Sequence, residues 1–141
     1  MKKQKSSLPI ATGVFTASHS SILTQVSVTS EDGSVSVDNV TALWDTGSEF
    51  TGISKALAER MGLKPLSQKQ WIGYADGSSE LSNTYRILIT FPPSGRRADT
   101  YVYEFRGKGQ DVIIGMNIIR NGRFLLEPTG DGGMKFTFAV G

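Results

Sequence analysis

The sequence predicts a small, mostly β protein that closes into a barrel and carries one helix. Three observations support this fold class. Apolar and polar residues alternate with a period of two along most of the chain, 16 glycines separate the alternating segments, and only one segment has the spacing of an amphipathic helix. The 141 residues are enough for one domain with a hydrophobic core. We place that domain at residues 21–141 and predict that residues 1–20 are a partly disordered N-terminal extension.

The first predicted element is a hairpin that ends at Asp45. Apolar and β-branched side chains alternate over residues 22–28, residues 31–34 have the composition of a turn, and the return strand occupies residues 35–44. The last five residues before Asp45 are Val-Thr-Ala-Leu-Trp. A surface turn rarely follows so apolar a run, so we expect a core strand that delivers Asp45 to a defined place.

The predicted helix occupies residues 53–63. Ser54 is suited to cap its N-terminus, and Gly62 is suited to end it in a left-handed conformation. Its apolar face consists of Ile53, Ala56, Leu57 and Met61.

The rest of the chain reads as further short strands. Residues 70–81 form a hairpin with its tip at Asp76, and residues 85–91 and 100–105 are strands joined by a loop that contains Arg96 and Arg97. Residues 111–119 form a buried strand that breaks at Gly115 into a short helical turn. A last hairpin pairs residues 123–127 with residues 134–138. The alternating apolar side chains of its second strand either close the core of the monomer or contact a second chain: Met134, Phe136, Phe138 and Val140.

Composition removes several classes of chemistry. The chain has no cysteine and one histidine, so thiolate catalysis, disulfides and multi-histidine zinc sites are excluded. Catalysis must use carboxylates, hydroxyls or a metal held by carboxylates. Of these we expect the carboxylates and hydroxyls, with no metal and no other cofactor. With 15 basic and 13 acidic residues the net charge is +2, which argues against a nucleic-acid partner. No segment approaches the ~20 apolar residues of a membrane span, so we expect a cytoplasmic protein without a membrane partner.

The segment ALWDTGSEF, the glycine-containing hairpin at residues 70–81 and the Ile-Ile-Gly at residues 113–115 occur here in one order, together with a helix after the Asp-Thr-Gly motif. This set resembles the retropepsin-like aspartic proteases, the single-domain relatives of retroviral proteases, over nearly the whole chain. The resemblance implies a closed barrel of the acid-protease type and an aspartic endopeptidase. Trp44 departs from the family pattern, which usually has an aliphatic residue before the Asp.

The resemblance also implies roles for the motif residues. Peptide hydrolysis by this family needs two carboxylates that share one proton. The chain has a single Asp-Thr-Gly, so each chain of a homodimer would contribute Asp45. Thr46 would brace the paired loops by hydrogen bonds across the two-fold axis. Gly47 would let the backbone approach the carboxylates, and Ser48 would donate a hydrogen bond to Asp45.

The same resemblance implies how a peptide would bind. The hairpin at residues 71–81 corresponds to the flap that closes over substrate. The peptide or protein substrate would lie in the cleft as an added β-strand. The substrate-binding residues implied are Gly73, Tyr74, Ala75 and Asp76 in the flap and Ile113 and Ile114 behind the catalytic loop.

Two other functions compete with this reading. One is a catalytically silent relative that keeps the fold as a dimerisation or peptide-binding module, although the motif retains both its Asp and its Gly. The other is a small β-barrel that binds nucleic acid through basic loops. The low net charge and the lack of aromatic residues interleaved with Lys or Arg count against it.

Overall fold

The computed structural model describes residues 9–107 and 109–140. In the described residues the chain forms eleven strands and two short helices. In order these are β1 (Pro9–Phe15), β2 (Leu23–Ser30), β3 (Ser36–Trp44), β4 (Gly52–Ser54), α1 (Lys55–Arg60), β5 (Gln70–Gly73), β6 (Ser79–Ser82), β7 (Thr84–Phe91), β8 (Arg96–Phe105), β9 (Val112–Ile114), α2 (Met116–Ile119), β10 (Arg123–Pro128) and β11 (Met134–Ala139). Neither helix has the length and hydrophobicity of a membrane-spanning segment.

Six strands close into a barrel in the order β2-β3-β9-β4-β8-β7, which confirms the predicted fold class. The β3–β9 and β4–β8 pairs are parallel, and the other pairs are antiparallel. The inward positions of the long strands are filled by β-branched side chains, as expected for strands that pack on one face. The most deeply buried include Val26, Val28, Ile87, Ile89, Val102, Val112 and Ile114.

A second sheet of three strands, in the order β1-β11-β10, packs against the barrel. Phe136 and Phe138 of β11 are 0% and 2% exposed, so the alternating apolar residues of this strand close the core of the monomer. Strand β1 lies inside the segment predicted as an N-terminal extension, where Pro9 and Gly13 obscure the alternation. It pairs along β11 and therefore packs as part of the domain. Residues 1–8, the rest of that extension, lie outside the described residues.

Helix α1 confirms the predicted caps but is shorter than predicted. Ser54 Oγ accepts a hydrogen bond from the Leu57 N–H, and Gly62 adopts a φ of +64°. The Leu63 N–H then donates to the Ala58 carbonyl, which closes the helix with a left-handed cap. Residues 52–54, partly read as helix from the sequence, pair with β8 and β9 instead, because the short strand β4 fills a gap in the barrel.

Two strand boundaries differ from the sequence reading. Arg96 and Arg97, predicted in a loop, begin β8 and pair with the end of β7. Their side chains are exposed, so the strand carries no apolar signal at this end. Strands β5 and β6 form the predicted hairpin at residues 70–82 and pair only with each other among the described strands. We call this two-stranded hairpin the flap.

The turn between β2 and β3 supports a prediction about stability and pH. Asp32 Oδ1 accepts hydrogen bonds from the Ser34 hydroxyl, the Ser34 N–H and the Ser30 hydroxyl. In that order of importance, these bonds lower the pKa of Asp32 from 3.8 to about 2. Because the folded-state pKa is lowered, the stabilisation is complete above pH 3.8 and is lost as the pH falls through about 2.

We therefore expect Asp32→Asn to lower the free energy of unfolding at pH 7 and to have progressively less effect below pH 4. Urea unfolding of both proteins between pH 2 and 7 measures this. Glu31→Gln, in the same turn but outside this set of hydrogen bonds, is the matched control. A difference between Asp32→Asn and wild type that stays constant over the whole range would show that the charge of Asp32 does not stabilise the turn.

Candidate active site

The strand that leads to Asp45 is anchored by Trp44. Its indole is buried, and its ring centroid lies 5.0 Å from the centroids of both Phe136 and Phe138. The indole Nε1–H donates to Thr24 Oγ1 at 2.9 Å, so its one polar group is satisfied. The departure from an aliphatic residue at this position is therefore accommodated by the aromatic side chains of the terminal sheet. Residues 45–51, which follow Trp44, are the predicted catalytic loop, and we refer to them as the catalytic loop.

The loop turns tightly after Asp45. The Asp45 N–H donates to the Ile114 carbonyl at 3.0 Å, and the Ser48 N–H donates to the Asp45 carbonyl at 3.1 Å. The Gly47 N–H donates to the Asp45 carboxylate at 2.8 Å. A Cβ on residue 47 would lie 3.2 Å from the same carboxylate oxygen, so glycine gives the backbone this close approach. The half-buried carboxylate is thus held in one orientation by its own turn.

Helix α2 supports the loop from behind. The Met116 N–H donates to the Ser48 carbonyl at 2.7 Å, and the Asn117 N–H donates to the Glu49 carbonyl at 3.1 Å. A Cβ at Gly115 would lie 2.3 Å from the Phe50 carbonyl oxygen, so the two segments are in direct backbone contact. The second part of the loop therefore cannot move without α2.

A buried threonine completes this support. Thr51 Oγ1 donates to Asn117 Oδ1 at 2.7 Å and accepts from the Gly115 N–H at 3.2 Å. Thr51 is fully buried, and both of its hydrogen bonds join the end of the loop to α2. The catalytic loop and α2 form one rigid unit.

The two hydroxyl groups of the motif differ from each other. Ser48 Oγ donates to the Phe50 carbonyl at 2.7 Å, so the predicted hydrogen bond from Ser48 to Asp45 is wrong for this chain. The single hydroxyl proton of Ser48 is used within the loop, because the backbone turns the Phe50 carbonyl toward it. The side chain of Thr46 is exposed and has no hydrogen bond to the described residues of its own chain.

Asp45 lies in a cleft of about 710 Å³ between the catalytic loop and the flap. The lining residues come from three parts of the fold. They are Asp45, Gly47, Ser48, Glu49 and Phe50 of the loop, residues 70–75 of the flap, and, from β8, β9 and the segment between them, Tyr103, Phe105, Arg106, Gly107, Gln110 and Ile113.

The predicted substrate-binding residues divide into two groups. Gly73, Tyr74 and Ala75 line the cleft, and so does Ile113. Ile114 does not, since alternation along β9 turns its side chain into the core, where it is fully buried. Asp76 is also absent from the lining: its carboxylate accepts hydrogen bonds from the N–H and hydroxyl of Ser78 and shapes the flap tip.

The flap is connected to the loop after β8. The Tyr74 hydroxyl donates to Glu80 Oε1 at 2.5 Å, and Glu80 Oε2 lies 3.8 Å from Arg106 Nε. Burial, followed by the hydrogen bond to Glu80, raises the pKa of Tyr74. The Tyr74–Glu80 hydrogen bond lies within the flap, next to its turn, and the Glu80–Arg106 ion pair joins the flap to the loop after β8.

Several residues of the cleft were missed by sequence reasoning. Glu49, Phe50 and Arg106 line it, and so does Tyr103, which is buried beside Ser48. Phe50 could have been found from its place directly after the motif. Tyr103 could not, because it reaches the loop only through the parallel pairing of β8 with β4. No group of three or more His, Cys, Asp or Glu that could hold a metal ion exists in the described part of the chain.

Comparisons with known proteins agree with this geometry. The family model described as "Aspartyl protease" matches residues 26–118, which include the catalytic loop, the flap and β9. The comparison with curated proteins gave no match.

The comparison with solved structures also gave matches. The EIAV protease complexed with the inhibitor HBY-793 matches with a TM-score of 0.54 and 17% identity, over 73% of this chain and 88% of that one. A retropepsin-like aspartic protease from Rickettsia conorii matches at 12% identity and a TM-score of 0.47, over 86% of this chain and 96% of that one. The retroviral protease-like domain of Ddi1 from Leishmania major matches at 16% identity and a TM-score of 0.45, over 82% of this chain and 90% of that one. The similarity to the EIAV enzyme and the match of the family model over most of the chain establish that this chain belongs to the aspartyl protease family and has the retropepsin-like fold.

Proposed function

We propose that the chain is an aspartic endopeptidase that works as a homodimer, with Asp45 of each chain as the catalytic pair. The observation that carries the proposal is the half-buried Asp45, which lines a cleft of about 710 Å³ between its loop and the flap. Family membership supports peptide hydrolysis. The pairing of two chains is our inference from the chemistry.

A single carboxylate cannot perform the reaction. One group must take a proton from water as the water oxygen attacks the peptide carbonyl carbon, and another must donate its proton to the carbonyl oxygen. When the tetrahedral intermediate breaks down, the first group passes its proton to the departing amine and the second takes back the hydroxyl proton, so the pair returns to its starting state. Two carboxylates ~3 Å apart share one proton, because both cannot be ionised, and so supply the base and the acid together. In the described residues the cleft holds one carboxylate in an Asp-Thr-Gly turn, so a second copy of the chain would supply the other.

The state of Thr46 fits this arrangement. Its exposed side chain has no hydrogen-bond partner among the described residues of its own chain and is available to hydrogen-bond across a two-fold axis. Trp71 and Phe50, both large and exposed, flank the cleft where a substrate would cover them. The peptide would lie between flap and loop as an added strand, with backbone contacts supplying affinity and side-chain pockets supplying selectivity.

Cleavage of a mixed peptide pool tests the proposal. Purified protein is expected to cut internal peptide bonds, and a statine-type mimic of the tetrahedral intermediate is expected to block the reaction. Peptides that bind without being cut would instead favour the silent peptide-binding module, and the proposal would fail.

The terminal sheet offers the edge on which two chains could meet. Strand β11 is paired on both sides and has no free edge. The outer side of β1 is partly occupied, since Pro9 has no N–H and the Ile10 carbonyl accepts from Ser94 Oγ at 3.1 Å. Among the described strands β10 pairs only with β11, and its Leu125 and Leu126 are 50% and 44% exposed. A free edge with exposed leucines is a template for pairing with another strand.

We therefore expect two β10 strands to pair antiparallel across the two-fold axis, which brings Leu125 and Leu126 close to the same residues of the second chain. The chain has no cysteine, so single substitutions report this contact cleanly. Under mild oxidation, Leu125→Cys, Leu126→Cys or an equimolar mixture of the two should give a disulfide-linked dimer, because paired strands bring Cα atoms within the ~4.4–6.8 Å that a disulfide spans.

Val14→Cys is the matched control, since Val14 is 74% exposed on the opposite edge of the same sheet. Cross-linking through residue 14, with none through residues 125 and 126, would place the interface at β1. A protein that stays monomeric in every variant and at every concentration would refute the homodimer.

A further inference from the structure

Tyr103 places a hydroxyl group beside the catalytic loop. It lies in β8, is only 9% exposed, and its hydroxyl oxygen is 3.3 Å from Ser48 Oγ. Tyr103 lines the Asp45 cleft and also a second cavity of about 480 Å³, and it shares both with Phe50 and Gln70. It therefore forms part of the wall between the two spaces, directly behind the turn that carries Asp45.

The direction of the hydrogen bond follows from the protons available. The one proton of the Ser48 hydroxyl is donated to the Phe50 carbonyl. Ser48 Oγ can then only accept from Tyr103, which gives a chain from the Tyr103 hydroxyl through Ser48 to the Phe50 carbonyl. Burial raises the pKa of Tyr103, the hydrogen bond with Ser48 lowers it, and the charge of Asp45 raises it. The net change is upward, so the phenol keeps its proton at neutral pH. Successive hydrogen bonds of this kind strengthen one another.

The ring that carries this hydroxyl has little freedom. A Cβ on Gly52 would lie 2.8 Å from the Tyr103 ring, so strand β4 packs flush against it. On another side the Phe105 ring meets it edge-on, with centroids 6.2 Å apart. The backbone pairing of Gly52 with Tyr103 fixes the register that makes this contact. Strands β4 and β8 of the barrel thus hold the Tyr103 hydroxyl next to Ser48, and its position does not depend on the flap.

We propose that Tyr103 is a positioning residue, which holds the Asp45 loop in its reactive geometry by donating a hydrogen bond to Ser48. The inference rests on the proposed function, since it concerns the same site. Ser48 is tied at its hydroxyl to Tyr103 and Phe50 and at its carbonyl to Met116. Loss of the tyrosine hydroxyl leaves the Ser48 side chain with its hydrogen bond to the Phe50 carbonyl alone, and removes the contact that joins the loop to β8 at this point.

Tyr103→Phe is the test, because it removes the hydroxyl and keeps the ring. Loss of one neutral hydrogen bond that orients a catalytic group should lower kcat about three- to ten-fold. KM should stay within about two-fold, because the peptide strand is bound by other groups. Tyr101→Phe is the matched control: this tyrosine lies two residues along β8, is 63% exposed, and packs on Arg86 rather than on the loop. It should leave kcat and KM unchanged.

A double-mutant cycle separates positioning through Ser48 from a general effect on the fold. In a Ser48→Ala background, Tyr103→Phe should cause no further loss of kcat, because the contact is already gone. Equal losses in both backgrounds, an unchanged kcat in Tyr103→Phe, or a rise in KM with kcat unchanged would each overturn the inference. A shift in the unfolding midpoint that accounts for the lost activity would overturn it too.

The same cycle on the free energy of unfolding keeps this inference separate from the proposed function. Coupling between Tyr103→Phe and Ser48→Ala in urea unfolding would support the contact whether or not peptides are cut, and additive effects would refute it. If the wild type cuts no peptide, the proposed function fails and the positioning role fails with it. If the wild type cuts peptides and Tyr103→Phe is as active, the inference alone fails.

Discussion

Asp45→Asn is expected to abolish peptide hydrolysis, with a loss of ~10³-fold or more in kcat. The amide is nearly isosteric with the carboxylate but cannot take a proton from the attacking water. The turn should survive, since the amide oxygen can still accept the hydrogen bond that the Gly47 N–H donates at 2.8 Å. Rates on one reporter peptide measure the loss, and urea unfolding shows whether the fold is kept.

Mixing the two proteins tests the pairing of chains. When equal amounts of wild-type and Asp45→Asn chains exchange freely at constant total concentration, about a quarter of the dimers contain two carboxylates, about half contain one, and the rest contain none. Because one carboxylate cannot act as both acid and base, activity should fall to about a quarter of the wild-type value. A fall to about half would mean that each chain carries a complete site, and the two-fold arrangement would be wrong.

Local signals in the sequence predicted most of the fold. The hairpin before Asp45, the flap and the caps of α1 at Ser54 and Gly62 all follow from alternation and turn chemistry over a few residues. Strands β1 and β4 were not predicted, because their local sequence signals are weak. Pro9 and Gly13 interrupt the alternation in β1, and β4 is only three residues long. Both strands form because they pair with strands distant in sequence.

The candidate site likewise combines features that a few neighbouring residues determine with contacts between residues distant in sequence. The Asp-Thr-Gly turn is local chemistry, and its cleft and flap lie where the motif order implied. The hydrogen bonds of Ser48 depend on contacts that the sequence does not display. Its acceptor, the Phe50 carbonyl, is two residues away and comes within reach only because the loop turns back on itself. Its donor, Tyr103, is 55 residues away on strand β8. Trp44 likewise makes sense only beside Phe136 and Phe138, about 90 residues later in the chain.

Gly115→Ala is expected to cause a large loss of activity, second to that of Asp45→Asn, although residue 115 does not line the cleft. Its φ of −98° is allowed for alanine, so the requirement for glycine is one of space. The added Cβ would lie 2.3 Å from the Phe50 carbonyl oxygen, 2.5 Å from its carbonyl carbon and 2.9 Å from the Ser48 carbonyl oxygen. These are backbone atoms, which no rotamer change can move aside.

The catalytic loop must therefore shift by close to an ångström, and a displacement of that size costs ~100-fold in rate. Overpacking of this kind also costs about 1–3 kcal/mol of stability. Both effects are measurable, by kcat/KM on one peptide and by urea unfolding. Gly73→Ala is the control for stability, because a Cβ there meets no atom within 4 Å. Near-normal kcat/KM in Gly115→Ala would mean that the loop is free to move relative to α2, and the rigid support of Asp45 described above would be refuted.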